Sequence, residues 1–216
     1  MFEVVPAILE KDWVEIEKKL EALKGISKTV HIDIIDGKFV NTLTFLDPTP
    51  FAKYKDDFIL GAHFIVEEPI NYLDSFYKAG FKTFIGQIEK MNSQEEFVAK
   101  GELLGEVGLA IDQDTELDRI KVDLFDLDLL TIMTVKVGAS GQLFNEQYLE
   151  KVRELRKRLQ EEPIGKKLTI EVDGGINDQT IVQAKEAGAD RFISNSYIFS
   201  GKVSENLKKL NQLLGR

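Results

Sequence analysis

The chain has 216 residues, 43% hydrophobic and 30% charged, the balance of an ordinary water-soluble globular protein. Its 37 acidic and 28 basic side chains give a formal net charge of -9, which disfavours nucleic acid and anionic membranes as partners. It has no cysteine, so disulfides and thiolate metal sites are excluded and a cytoplasmic setting is favoured.

The opening stretch, Met1 to Glu10, lacks the basic flank and length of a secretory leader. No run approaches the ~18 apolar residues that span a bilayer. Phe2–Leu9 is the first of eight β-like runs. Asp12 can then N-cap a helix over Trp13–Leu23, with Trp13, Ile16, Leu20 and Leu23 at helical spacing. Thr29–Ile35 and Phe58–Val66 follow as strands. Pro69 opens a helix over Ile70–Lys78, with Gly80 after its end. Phe81–Ile88, Val107–Ile111 and Leu127–Val135 are the next three strands, and the acidic run Asp123–Asp128 reads as a solvated helix end. Asn145–Glu162 is a long charged helix with Tyr148, Val152, Leu155 and Leu159 as its buried stripe. Lys167–Val172 is the seventh strand. Asn177 or Asp178 caps Gln179–Ala187, which Gly188 closes. Arg191–Ser194 is the eighth strand, Tyr197–Phe199 a helical turn, and Ser204–Leu214 a last amphipathic helix.

These runs are rich in Val, Ile, Phe and Leu, as strands covered on both faces should be. Regular βα alternation implies a parallel sheet, and eight units in ~200 residues favour closure. The expected fold is α/β: a single (β/α)8 TIM barrel, one domain over residues 1–216, with no linker.

The chain has only two histidines. Side chains alternate across a strand. In Val30-His31-Ile32-Asp33-Ile34 the apolar residues face the helices, and His31 and Asp33 point into the barrel. By the same parity His63 points inward in Leu60-Gly61-Ala62-His63-Phe64, and so does Asp173 after Ile170 and Val172. Two imidazoles and two carboxylates thus converge near the carboxyl ends of strands 2, 3 and 7, where barrel active sites lie. Such an N/O set suits one divalent metal ion, Zn²⁺ or else Fe²⁺, Mn²⁺ or Co²⁺, and suits Ca²⁺ poorly. Alternatively each is a hydrogen-bonded inner polar residue, but burying four together without a cation is costly. Asp33 and Asp173 come from opposite walls. One can remove a proton from a carbon next to a carbonyl while the other returns one to the opposite face.

Gly138-Ala139-Ser140-Gly141 follows strand 6, Gly174-Gly175 strand 7 and Asn195-Ser196 strand 8. Loops there form the usual barrel phosphate site through backbone N–H groups; the other reading is plain tight turns. With no Lys or Arg at 174–175 or 195–196, a cradle would rely on amide dipoles. Asp36 reads as a turn-forming residue, and Met133 as core or rim packing.

Val30-His31-Ile32-Asp33-Ile34-Ile35-Asp36-Gly37, Ala62-His63-Phe64, Met133-Thr134-Val135 and Ile170-Glu171-Val172-Asp173-Gly174-Gly175-Ile176-Asn177 resemble the ribulose-phosphate 3-epimerase family, in order from Pro6 to Phe199. The resemblance implies a ribulose-phosphate-binding barrel and an isomerase. It implies a metal held by His31, Asp33, His63 and Asp173, with Asp33 and Asp173 as the acid/base pair. It implies substrate and phosphate contacts at His63, Met133, Gly138, Ala139, Ser140, Gly141, Gly174, Gly175, Asn195 and Ser196. The implied reaction interconverts D-ribulose 5-phosphate and D-xylulose 5-phosphate at C3 through an enediolate, in a homo-oligomer. The chain departs from the family at Ala7 (Ser in the family), at Ile35 and Ile65 (Met), at Asn41 and Thr42, in the loop Lys136–Gln142 and at Asn195 (Gly). Those departures keep two alternatives open: a 3-epimerase of another ketose phosphate, such as D-allulose 6-phosphate, and a non-catalytic sugar-phosphate or metal-binding relative. A decarboxylase barrel of the Asp-x-Lys type does not fit, because Ile35 stands at the Lys position.

Overall fold

The computed structural model describes residues 2–161 and 168–215. Eight parallel strands close in chain order: β1 (Glu3–Ile8), β2 (Thr29–Ile35), β3 (Ile59–Ile65), β4 (Thr83–Gln87), β5 (Glu106–Ile111), β6 (Leu129–Met133), β7 (Thr169–Asp173) and β8 (Arg191–Ser194). Pairing of β8 with β1, Glu3 opposite Arg191 and Pro6 opposite Ser194, completes the barrel. Around it lie α1 (Trp13–Leu23), α2 (Leu73–Lys78), α3 (Gln94–Glu102), α4 (Leu149–Glu161), α5 (Thr180–Ala187), α6 (Ser196–Phe199) and α7 (Val203–Leu213).

Strand alternation sorts the core into an outer layer and an inner one. Val30, Ile32, Ile34, Leu60, Ala62, Phe64, Ile170 and Val172 all belong to the large layer between sheet and helices, with Ile16, Leu20 and Leu23 of α1. Aromatic rings thicken that layer: Phe51 packs edge-on against Trp13 at 5.0 Å and against Phe81 at 5.2 Å, and Phe81 against Phe76 at 4.9 Å. Opposite-parity residues fill the barrel itself in small groups, Val5, Ala7 and Ile193 in one and Ile85, Ala110 and Leu129 in another. At the carboxyl ends of the strands, Ile35, Ile65, Met133 and Val137 close the interior from above.

Helix boundaries follow local hydrogen bonds. Asp12 Oδ1 accepts from the Glu15 N–H at 3.1 Å and starts α1 where the sequence places it. Of the two candidate caps for α5, Asn177 is the one used: its Oδ1 accepts from Gln179 N at 2.8 Å and Thr180 N at 3.1 Å. Gly188 ends that helix at φ 112°, a left-handed conformation that a side chain would strain.

Several expectations need correction. The strands agree to within one or two residues at each end. The helix expected over Ile70–Lys78 is a 3-10 turn, Pro69–Asn71, followed by α2. The one expected over Asn145–Glu162 begins as a 3-10 turn, Glu146–Tyr148, before α4. Glu162 and Lys167, expected helix and strand ends, lie outside the described residues. Val152 and Leu155 are buried, but Tyr148 and Leu159 are only half-buried, and Lys151 goes inward beside Leu149. Its ammonium is satisfied there by the carbonyl oxygens of Gln113 at 2.6 Å and Thr115 at 2.7 Å. Alternation with α-helices is incomplete. Among the described residues, β2 and β5 are followed by 3-10 segments only (Thr49–Tyr54, Leu117–Arg119, Leu124–Asp126). Helix α3, capped by Ser93 Oγ accepting from Glu96 N at 3.1 Å, was not foreseen. Asp123–Asp128 is no helix end: Asp123 caps a 3-10 turn, and half-buried Asp128 accepts from the Val107 N–H at 2.9 Å, anchoring the start of β5. No helix among the described residues is long and apolar enough to cross a membrane.

Candidate metal centre

Register brings the four expected groups together. Asp33 on β2 stands opposite His63 on β3, and Met133 on β6 opposite Asp173 on β7. His31 is 3% exposed, Asp33 7%, His63 0% and Asp173 9%. His31 Nε2 lies 3.2 Å from Asp33 Oδ1 and 3.7 Å from Asp173 Oδ2. His63 Nδ1 lies 3.2 Å from the same Asp33 oxygen and 3.5 Å from the same Asp173 oxygen. All four donor atoms fall within 4.8 Å of one another. Donors held ~2.1 Å from one tetrahedral ion are spaced about 3.4 Å apart along each edge. The four contacts bracket that spacing, and two carboxylates with two neutral imidazoles match the charge of a divalent ion, so these residues can hold one.

The electrostatics agree. Burial alone would strip the proton from His63, but the carboxylates of Asp173 and Asp33 outweigh it and raise its pKa to about 10. Burial likewise opposes a charge on His31, and Asp33 and Asp173 raise its pKa nonetheless. For Asp33, burial pushes upward, and the two imidazoles hold the carboxyl well below the usual range. The quartet therefore attracts positive charge, and a metal ion entering it competes with imidazole protons.

Further hydrogen bonds hold these strand ends in place. Thr44 Oγ1 donates to the Asp33 carbonyl at 2.9 Å and accepts from Ile35 N at 2.8 Å. Thr134 Oγ1 donates to the Gly174 carbonyl at 2.6 Å, just after Asp173. Asp36 does form the expected turn, accepting from Lys38 N at 2.8 Å and Phe39 N at 3.0 Å, and it also takes the Glu67 N–H at 3.0 Å after β3. Behind His63, Gln87 Oε1 lies 2.9 Å from Nε2. Sequence reasoning missed Thr44, Thr134 and Gln87. Gln87 carries a signal: it is the polar residue at inward parity at the carboxyl end of β4.

A cleft enclosing about 520 Å³, part of it open to solvent, lies above the quartet. Asp33, Asp173, Met133 and the segments 138–141, 174–175 and 195–196 all line it. His31 and His63 do not; they sit behind the carboxylates. Ala7 lies on its wall, as does Lys136, an exposed cation that the sequence reading did not single out. The Gly pair is required by the backbone itself. Gly175 has φ 67°, and a Cβ there would stand 2.8 Å from the Phe144 backbone; one at Gly174 would stand 2.5 Å from Val135 Cγ2. The pair therefore leaves main chain, not side chain, facing the cleft. Lys19 of α1 reaches the same rim, 3.4 Å from Asn195 Oδ1.

The model of the ribulose-phosphate 3 epimerase family matches residues 3–199. The chain belongs to the ribulose-phosphate 3-epimerase family. It is 31% identical over 219 residues to the ribulose-phosphate 3-epimerase of Bacillus subtilis, covering 100% of this chain and 99% of that one. It is 32% identical over 212 residues to the ribulose-phosphate 3-epimerase of Treponema pallidum, with 96% of each covered. As a member of this family the chain is an isomerase acting on carbohydrates. Among solved structures, the fold matches a Streptococcus mutans protein described as KGPDC, at TM-score 0.73 and 11% identity over 100% of this chain and 98% of that one. A 3-keto-L-gulonate-6-phosphate decarboxylase from Vibrio cholerae matches at TM-score 0.68 and 11% identity, with 100% and 98% covered. At such identity these two speak for the barrel alone. Four of the departures from the family pattern, Ala7, Ile65, the 136–142 loop and Asn195, line the cleft, whereas the quartet beneath it is intact.

Proposed function

We propose that this chain, acting as one domain over residues 1–216, is a metal-dependent 3-epimerase interconverting D-ribulose 5-phosphate and D-xylulose 5-phosphate. The observation that carries the reading is the placement of Asp33 and Asp173. They rise from separate walls of the barrel, both line the cleft, and their carboxylate oxygens lie within 4.8 Å of each other over two buried imidazoles. His31, Asp33, His63 and Asp173 would hold the ion. A divalent cation there supplies Lewis-acid stabilisation of the negative charge that develops on the substrate's oxygens.

The chain's own groups do the rest. One carboxylate takes the C3 proton from one face of the ketose, leaving a flat enediolate. The other delivers a proton to the opposite face, and C3 leaves inverted. The reverse reaction exchanges their roles. Backbone amides of 174–175 and 195–196 serve the phosphate, with Ser140 and Lys136 along the same cleft. Met133 packs under the substrate with Ile35 and Ile65, keeping water from the reacting carbon.

A second reading has a specific observation behind it. Ala7 replaces the family's serine on the cleft wall, and the 136–142 loop is rewritten, so the part of the cleft that measures the sugar differs while the proton-transfer groups do not. That favours a ketohexose phosphate such as D-allulose 6-phosphate as the alternative substrate. A panel of ketopentose and ketohexose phosphates decides between them. Higher kcat/KM on ribulose 5-phosphate supports the first reading, and turnover of six-carbon but not five-carbon phosphates rejects it.

A further inference from the structure

Among the described residues, the buried side-chain polar atom left without a hydrogen-bond partner is Gln87 Nε2. Gln87 is the last residue of β4 and fully buried. Its other polar atom is engaged: Oε1 lies 2.9 Å from His63 Nε2. His63 turns its second nitrogen the other way, with Nδ1 3.2 Å from Asp33 Oδ1 and 3.5 Å from Asp173 Oδ2. The two ring nitrogens therefore have separate tasks.

An imidazole that offers the Nδ1 lone pair to a cation carries its single proton on Nε2. That proton needs an acceptor, and the Gln87 carbonyl is the one it meets. A flipped amide would set N–H against N–H. When a proton occupies Nδ1 as well, both nitrogens donate, and the same amide orientation is still required. Every state in which Nδ1 serves the quartet thus demands the amide oxygen toward His63, which leaves the amide nitrogen unpaired in the interior. A buried donor without a partner opposes folding. Its presence here is explained by what the same side chain does for the ring.

We propose that Gln87 is a positioning residue of the metal centre: its carbonyl fixes His63 as the Nε2–H tautomer, so that Nδ1 is the ligand atom. The inference rests on the reading of the quartet as a metal site. Acceptors behind a ligating imidazole set its tautomer, its orientation and its basicity.

The test is competition titration of the metal-free full chain with Zn²⁺ against a chromophoric chelator, comparing wild type, Gln87→Leu and Gln87→Glu, with thermal melts of each metal-free form. Gln87→Leu removes the acceptor and should weaken Zn²⁺ binding by about 10–100-fold. Its metal-free melting temperature should hardly move, because one unpaired donor (the amide nitrogen) is exchanged for another (the ring N–H). Gln87→Glu keeps an oxygen in place and should bind within about threefold of wild type, or more tightly. A Leu variant within about threefold of wild type overturns the proposal, and so does a Glu variant as weak as Leu, which would show that shape and not the acceptor matters. A wild-type chain that binds no Zn²⁺ removes the metal-centre reading and this inference with it, and that is seen before any variant is measured. Should Gln87→Leu fail to fold, ¹⁵N spectra of the zinc-loaded wild type decide. A proton on His63 Nε2 supports the proposal, and a proton on Nδ1 overturns it.

Discussion

Asp33→Asn and Asp173→Asn should separate the two halves of the reaction. Each exchanges a carboxylate for an amide of the same shape, in residues 7% and 9% exposed at the cleft floor, so the barrel keeps its packing. In the metal-free chain the charge removed is offset by release of an imidazole proton, since the raised pKa values of His31 and His63 depend on these carboxylates. What cannot be replaced is the proton carrier. Loss of one positioned acid/base group costs about 10²–10⁴ in turnover, or roughly 3–5 kcal/mol of barrier. The distinctive result lies in the exchange pattern. With metal saturating, each variant in D2O should wash deuterium into C3 from one epimer only, and the two variants should select opposite epimers, because the proposed mechanism sets the carboxylates on opposite sides of the reacting carbon. Mass spectrometry of each recovered substrate reads this directly. A variant keeping more than about a tenth of wild-type turnover, or exchanging equally from both epimers, would refute the two-carboxylate assignment.

Other consequences follow from the same structure. Phe81→Ala opens a cavity between Phe51 and Phe76 and should destabilise the fold by about 3–5 kcal/mol, lowering the melting temperature by roughly 10 °C while kcat of the folded fraction is unchanged. Asp36→Asn weakens charge-assisted bonds to three backbone N–H groups and should cost about 1–2 kcal/mol at neutral pH. The Asp36 carboxyl is pushed up by burial, but the amides of Glu67, Phe39 and Lys38 prevail and lower it from its ordinary 3.8. Its folded-state pKa is therefore the depressed one, so its contribution is present above pH 3.8 and is lost as pH falls below it. Denaturant melts of wild type and Asp36→Asn should converge in acid, and a constant gap would contradict the cause given. Lys136→Met should raise KM for a sugar phosphate about 3–10-fold, leave kcat within about twofold, and flatten the salt dependence of kcat/KM. An unchanged KM would take Lys136 out of substrate binding.

The quartet was legible because period-2 alternation fixes parity, and because two histidines in the whole chain leave little room for coincidence. The barrel was legible for a similar reason: eight apolar runs of strand length with amphipathic stretches between them have few parallel solutions. What escaped reading depends on contacts between distant segments. Lys151 looks like a surface residue until the carbonyls of Gln113 and Thr115 converge on it. Asp128 reads as one acid in an acidic run, yet it holds the Val107 N–H at the start of β5. Helix α3 has a weak apolar face, Phe97 and Val98 with Gly101, and announces itself mainly through the Ser93 cap. Gln87 is a lone amide at inward parity at the end of an apolar strand, a signal that its 2.9 Å distance to His63 turns into a role.

The central claim is that a cation held by His31, Asp33, His63 and Asp173 makes C3 of a ketose phosphate acidic enough for two carboxylates to exchange its proton. The most direct test strips the full chain with a chelator, reloads half of it with one equivalent of Zn²⁺, Mn²⁺, Fe²⁺ or Co²⁺, and follows deuterium uptake at C3 of ribulose 5-phosphate in D2O. Uptake should be nearly absent from the stripped chain and restored by metal. Equal uptake with and without metal, or none under any metal, would contradict the account.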